Sequence, residues 1–299
     1  MSLPIHRPGF CRARSLSAAM ALLLALLIGV GAPPPVQAME EPLVMGVFPR
    51  RNAKATYRMF SPLASYLETM LKRPVRLETG KDFPTFWKKV EERALDLVHF
   101  NQLHYIRAHD KFGYDAILMN EEFGESTLSG SLVVRANSGI RTLDDLRGKT
   151  ILFGGGRSAM MSFVAPRYLL MQAGLKESDY ISKYALNPPN AALSVAHHQA
   201  EAAGIGQVVL RLPTVTSRIE PGQLTTLAVG DPLPHLPWAV KSDMPSELQR
   251  RIQKLMVDLA GTAAGRKVLA SAGLTALLAA EDGDFDPHRK MINAVFDAQ

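Results

Sequence analysis

The sequence predicts an α/β fold with mixed, mainly parallel sheets arranged in two lobes, and three observations carry that prediction. Short runs rich in Val, Ile, Leu and Phe alternate with segments of helical period, the pattern of strands linked by crossover helices. The 299 residues are 47% hydrophobic and 21% charged, a globular composition long enough for about two domains. No low-complexity linker or internal repeat breaks the chain after its N-terminal segment, so the lobes are expected to share strands rather than follow one another like beads.

The first segment carries Arg7, Arg12 and Arg14 without an acid, then the apolar run from Ala18 to Val30, then Val36-Gln37-Ala38 after a proline break. That is the layout of a secretory signal peptide. The apolar run is shorter than the roughly 20 residues that span a bilayer, so cleavage after Ala38 and a periplasmic location are expected. The only cysteine, Cys11, lies in this segment, which leaves the exported chain without a thiol. Setting aside the three arginines lowers the net charge from +6 to +3, and a charge that small gives no reason to expect a nucleic-acid partner.

Strands are expected at 43–48, 75–79, 95–100, 116–119, 131–135, 150–153 and 224–229. Phe60, Leu63, Leu67 and Leu71 form one stripe of a helix beginning near Thr56, and Leu248, Ile252, Leu255 and Leu259 repeat the pattern. Thr142-Leu143-Asp144-Asp145 reads as a capped helix start with Gly148 as its stop. Asp286-Pro287 opens a last helix, and Pro166 inside a predicted helix implies a kink.

Enzymatic motifs are absent. Gly154-Gly155-Gly156 follows a strand and precedes a helix, yet Arg157-Ser158-Ala159 supplies neither the Lys-Ser/Thr of a phosphate loop nor the third glycine of a dinucleotide fingerprint. Gly156-Arg157-Ser158-Ala159-Met160 likewise lacks the last glycine of a nucleophile elbow. No catalytic residue and no cofactor is assigned. What remains is a glycine turn leading into a helix expected to start near Ser158, whose unpaired amides would hold an anion. His197 and His198 are read as solvated helix surface, and His104, in a turn after Asn101, as a pocket candidate.

In order and spacing, Gly46-Val47-Phe48-Pro49, the stretch Phe60 to Leu67, Leu95 to Phe100, Ser131 to Arg135, Leu143 to Lys149 and Pro166 to Leu170 with Ala173-Gly174-Leu175 resemble the phosphate/phosphite/phosphonate-binding proteins of ABC importers. The resemblance implies a type II periplasmic binding protein: two α/β lobes joined by two crossing strands that close on a ligand. It implies one lobe from 39–130 plus 231–299 and another from 131–230, with hinges near Ser129-Gly130 and Gly230-Asp231-Pro232.

Two departures bear on the ligand. The family's Ser-Thr-Ser-Gly, which holds the oxyanion, is matched here by Ala159, Met160, Met161 and Ser162, and a family histidine by Pro188. The expected ligand contacts are therefore the backbone from Ser158 to Met161 with Arg50, Asn101, His104, Arg157, Ser162 and Asn190. Function is read as periplasmic binding of a small oxyanion or phosphonate-like solute, delivered by a monomer to an ABC importer permease. The alternatives are a sensing subunit for a sensor kinase, or soft-metal capture, with Met160, Met161 and His104 offering thioether and imidazole to Cu(I).

Overall fold

The computed structural model describes residue 1, residues 41–49 and residues 52–297. Residues 2–38 of the expected signal peptide and the candidate ligand Arg50 lie outside the described residues. Among the described residues, no helix is long and apolar enough to cross a membrane.

Among the described residues there are thirteen strands, and two sheets hold most of them. The first lobe is built on β1 (Leu43–Val47), β2 (Val75–Glu78), β3 (Leu97–His99), β4 (Tyr114–Glu121), β12 (Pro237–Lys241) and β13 (Ala276–Ala279), in the order β13-β4-β12-β3-β1-β2. The second is built on β6 (Gly130–Arg135), β7 (Thr150–Gly154), β8 (Ile181–Ala185), β9 (Ala202–Gly206) and β10 (Leu224–Val229), in the order β10-β6-β9-β7-β8. β12 and β13 run against β1, β2, β3 and β4, and β6 alone runs against its sheet. The sheets are thus mixed, with most strands pointing one way. The order is the same in both lobes, β2-β1-β3-β12-β4 and β8-β7-β9-β6-β10, and each sheet's antiparallel intruder, β12 or β6, is the first strand of that sheet after a passage from the other lobe.

The passages are paired. β5 (Thr127–Leu128) runs antiparallel to β11 (Leu233–Pro234), and Gly230 N–H donates to Gly130 C=O at 2.9 Å.

Helices cover the faces. α1 (Ala53–Leu71) buries the expected stripe Phe60, Leu63, Leu67 and Leu71 on the first sheet, and it starts three residues earlier than expected because Asn52 caps it, accepting from Ala55 N–H at 2.9 Å. α2 (Phe83–Glu91) and α3 (Gln102–Phe112) are capped the same way by Asp82 and Asn101. The second lobe carries α4 (Ala165–Gln172) and α5 (Pro188–Ala196), then a single turn, α6 (Pro213–Thr216). α7 (Ser246–Val257), α8 (Ala263–Ser271) and α9 (Asp286–Asp297) complete the chain. α9 begins at Asp286-Pro287 as expected, and its Val295, Met291 and Phe296 join the core of the second lobe although they belong to the end of the sequence.

Three expectations need correcting. The helix expected after Thr142 is one 3-10 turn, Asp144–Leu146, and the cap is the Asp145 carboxylate accepting from the Arg141 and Thr142 amides at 2.8 and 2.9 Å rather than the Thr142 hydroxyl. The helix expected from Ser158 starts at Met160 as a π-helical segment, Met160–Val164, and turns α-helical where Pro166 occupies its first turn. The missing Pro166 N–H thus shows as a change of helix type rather than as a kink inside one helix. His197 and His198 are exposed but follow α5, with His198 in the left-handed region at φ 59°.

Candidate ligand-binding cleft

In open α/β sheets ligands gather beyond the carboxyl ends of the parallel strands, and here those ends carry different chemistry in each lobe. In the first lobe β3 ends on His99 and leads through Asn101 into α3. The Asn101 side chain is fixed at both ends: Oδ1 accepts from His104 N–H at 2.9 Å, and Nδ2 donates across the cleft to Ser158 C=O at 3.0 Å. With Oδ1 an acceptor, the His104 Nδ1 at 3.0 Å from it must carry a proton and donate. Burial, with help from the Arg107 charge, pushes the His104 imidazole down to about 4, so at neutral pH it has one N–H, already engaged. Its ring is stacked on Phe83 with centroids 4.8 Å apart and packs against Trp87. His104 thereby positions Asn101.

A second network lies at the ends of β3, β4 and β12. The Trp238 indole N–H donates to Asn120 Oδ1 at 2.9 Å, which orients the amide so that Nδ2 donates to His99 Nε2 at 3.1 Å. His99 and Trp238 are stacked with centroids 4.5 Å apart. Beside this network is a cavity of about 130 Å³ lined by Val47, Phe48, Thr56, Met59, Phe60, His99, Asn120, Glu122, Phe123 and the turn Ala272-Gly273-Leu274, with Leu212 of the second lobe closing one side. Glu122 is buried, and His235 Nε2, from the return passage, stands 4.0 Å from its carboxylate.

The second lobe faces the cleft with the turn Gly154 to Ala159 and the π-helical segment. Gly155 has φ 107°, a conformation that only glycine adopts readily, and Gly154 has no room for a side chain, since a Cβ there would lie 2.4 Å from Pro188 Cα. Pro188, which stands where the resemblance places a histidine, is the first residue of α5 and packs on this turn. Ala159 N–H donates to Gly156 C=O, and the first amides bonded back into the helix are Phe163 and Val164, both to Ala159 C=O. Ala159 is the N-cap and offers no side-chain acceptor, so the Met160, Met161 and Ser162 amides belong to the unpaired set at a helix start.

Of the residues expected at the site, Asn101, His104 and Ser158 come together across the cleft, with Ala159 to Ser162 continuing from them. The Met160 and Met161 side chains are buried in the second lobe's core, Met161 against Gly206, whereas His104 is held between Phe83 and Trp87, apart from them. Arg157 is turned to Glu177 at 3.2 Å and lies over the Phe163 ring, lining a groove with Arg167 and Lys176. Asn190 is exposed on the first turn of α5, where its amide is capped by Asn187. Sequence reasoning missed the cavity residues Phe48, Glu122 and Leu212; the available signal was the polar run Asn120, Glu121 and Glu122 that follows the apolar stretch Ala116 to Met119.

The family model describing the periplasmic substrate-binding protein of phosphonate ABC transporters matches residues 45–285, and the chain belongs to that family. It is a binding protein of the periplasm that serves an ABC importer. Solved structures share the fold. A binding-protein component of an ABC phosphonate transporter from Pseudomonas aeruginosa superposes with TM-score 0.72 at 15% identity, over 86% of this chain and 87% of that one. A Xanthomonas citri protein bound to ATP gives 0.72 at 17% identity over 85% and 98%. The Prochlorococcus marinus protein PhnD1 in complex with methylphosphonate gives 0.72 at 15% identity over 85% and 97%.

Proposed function

We propose that this protein captures a small solute bearing an oxyanion, of phosphonate type, and presents the closed lobes to an ABC importer permease. The observation that carries the reading is the uncapped helix start that faces the cleft; α7, opening on Pro245, also lacks a side-chain cap. Asn52, Asp82, Asn101 and Asn187 each satisfy an amide of the helix they open, while the helix that meets the cleft from the second lobe opens on Ala159 with no side-chain cap. Its first amides, backed by the helix dipole, suit an anionic oxygen. Asn101 and Ser158 already join the two sides of the cleft there. Ser162 is the hydroxyl left at this helix start. Arg50, next to the end of β1 in sequence, is the cation we assign to the ligand from the first lobe.

The lobes divide at 39–130 plus 231–299 and 131–230 in this reading, and they turn about the paired strands Thr127–Leu128 and Leu233–Pro234. The test is a thermal-shift screen of the purified protein against phosphate, phosphite, methylphosphonate, aminoethylphosphonate and alkylsulfonates. A ligand at a hundred times its Kd adds about 2.7 kcal/mol to stability, an easily visible shift. Stabilisation by a phosphonate or phosphite that is lost on crowding the helix start with Ala159→Trp supports the reading; no shift with any oxyanion overturns it.

A further inference from the structure

We infer that the cavity at the strand ends of the first lobe takes the organic substituent of the ligand, a compact apolar group of about the size of a benzene ring, and refuses a second anion. The inference rests on the oxyanion reading above. At about 130 Å³ the cavity is close to the roughly 150 Å³ of an engineered apolar cavity that admits benzene.

Its walls are Val47, Phe48, Phe60, Leu212 and Leu274. The Thr56 hydroxyl, which donates to Asn52 C=O at 3.3 Å, and the Asn120 amide are already engaged. The Asn120 amide has its oxygen on Trp238 and its nitrogen on His99. Among the described residues of the lining, Glu122 is the charged one and no Lys or Arg is present, with His235 Nε2 4.0 Å from the Glu122 carboxylate. A carboxylate or phosphonate placed beside that buried carboxylate would be desolvated and repelled, and one of the two would have to be protonated.

The space is held open by small residues: a Cβ built on Gly273 would find only Met59 Cε within 4 Å, at 3.9 Å, and Ala272 precedes it. The cavity also lies beside the helix start. His99 lines it and Asn101, two residues on, reaches Ser158, a span of at most roughly 7 Å of extended chain. From the other side, the segment from Gly206 to Leu212 starts against Met161 and ends in the cavity wall. A phosphonate oxygen on the Met160 to Ser162 amides therefore directs its substituent into the cavity, and a methyl group is too short to fill it.

Calorimetric titration of the full chain with methylphosphonate, phenylphosphonate and phosphonoacetate tests this. The expected result is phenylphosphonate at least ten-fold tighter than methylphosphonate and phosphonoacetate the weakest of the three. Ala272→Leu, which fills the space, should bring phenylphosphonate down to the affinity of methylphosphonate. Should that variant not fold, Met59→Ala enlarges the cavity and should favour naphthylphosphonate over phenylphosphonate by at least three-fold. Equal affinities for the methyl and phenyl compounds, or a phenyl preference that survives Ala272→Leu, overturns the cavity inference and leaves the oxyanion reading standing. If no phosphonate binds, the oxyanion reading falls and the cavity is judged on benzyl alcohol: binding in the wild type that Ala272→Leu removes sustains the cavity, and no binding overturns it.

Discussion

The two lobes repeat one strand order and treat the third strand of that order in opposite ways. In the first lobe β3 is Leu97-Val98-His99, three buried side chains of ordinary size, whereas in the second β9 is Ala202-Ala203-Gly204-Ile205-Gly206. The reason is what lies on top. The π-helical segment rests directly on β9, so that a Cβ on Gly204 would lie 2.9 Å from Ser162 C=O and 2.6 Å from the Phe153 ring. Close approach of helix to sheet brings the helix start forward to the cleft, and it is achieved by removing side chains from the strand beneath. The shared topology therefore sets where a ligand can sit, while the local packing decides which lobe supplies open backbone and which supplies shaped side chains.

Gly204→Val is the harshest way to break this difference. Overfilling a packed layer usually costs 1–3 kcal/mol, and with both neighbours tight the loss should reach about 3 kcal/mol, read as a lowered urea midpoint with an unchanged slope. A smaller cost, from a helix that simply lifts off, would show that the close approach is not needed for stability.

Acid sharpens the contrast from the other side, because the buried imidazoles His104 and His288 are in the first lobe and α9, held down to about 4 and about 3 by burial. Above the ordinary histidine value of about 6.5 both folded and unfolded chains are neutral at these sites. Below it the unfolded chain takes up protons that the folded chain does not, so stability falls as pH drops from 6.5 towards 4. His104→Gln should remove roughly 2 kcal/mol of that fall; an identical pH profile would show that His104 does not stay neutral in the fold.

Asn101 belongs to both lobes. Asn101→Ala removes a helix cap and the bond to Ser158 and should cost about 1.5 kcal/mol. Asn101→Asp keeps the cap but sets a carboxylate oxygen against Ser158 C=O in place of the donor, so it should spare the cap's share of that stability while shifting the lobes apart, visible as a larger radius of gyration by X-ray scattering. Equal scattering for both variants and the wild type would mean that this bond does not hold the lobes together.

The smallest expected effect compares the helix starts themselves. Asn52→Ala should cost about 1 kcal/mol, and Ala159→Ser, which adds the missing cap, should contribute about 0.5 kcal/mol to the ligand-free protein. A gain at position 159 equal to the loss at 52 would show that the two starts differ in sequence alone.

Much of this was legible in the sequence where side chains face one way. The stripe Phe60, Leu63, Leu67, Leu71 announces α1, and the apolar run Leu132 to Val134 announces β6. β9 was not, since Ala and Gly carry little strand preference and its shape is dictated by Ser162 and Phe153 from elsewhere in the chain. β13, Ala276-Leu277-Leu278-Ala279, has a composition that suits a helix equally well. At the cleft, the glycine turn and Asn101 were readable from local signals. The cavity was not, because Phe48, Glu122, Leu212 and Leu274 meet only after the chain has crossed between lobes and returned.

The last helix has a bearing on how the protein is made. Val295, Met291 and Phe296 complete a core whose other members, such as Phe153, Met160 and Leu170, are synthesised more than a hundred positions earlier. A chain that emerges N-terminus first therefore completes the first sheet only when β13 arrives, and the second lobe's cover only when α9 follows it. Both lobes thus depend on segments that lie far along the chain from the strands they join or cover.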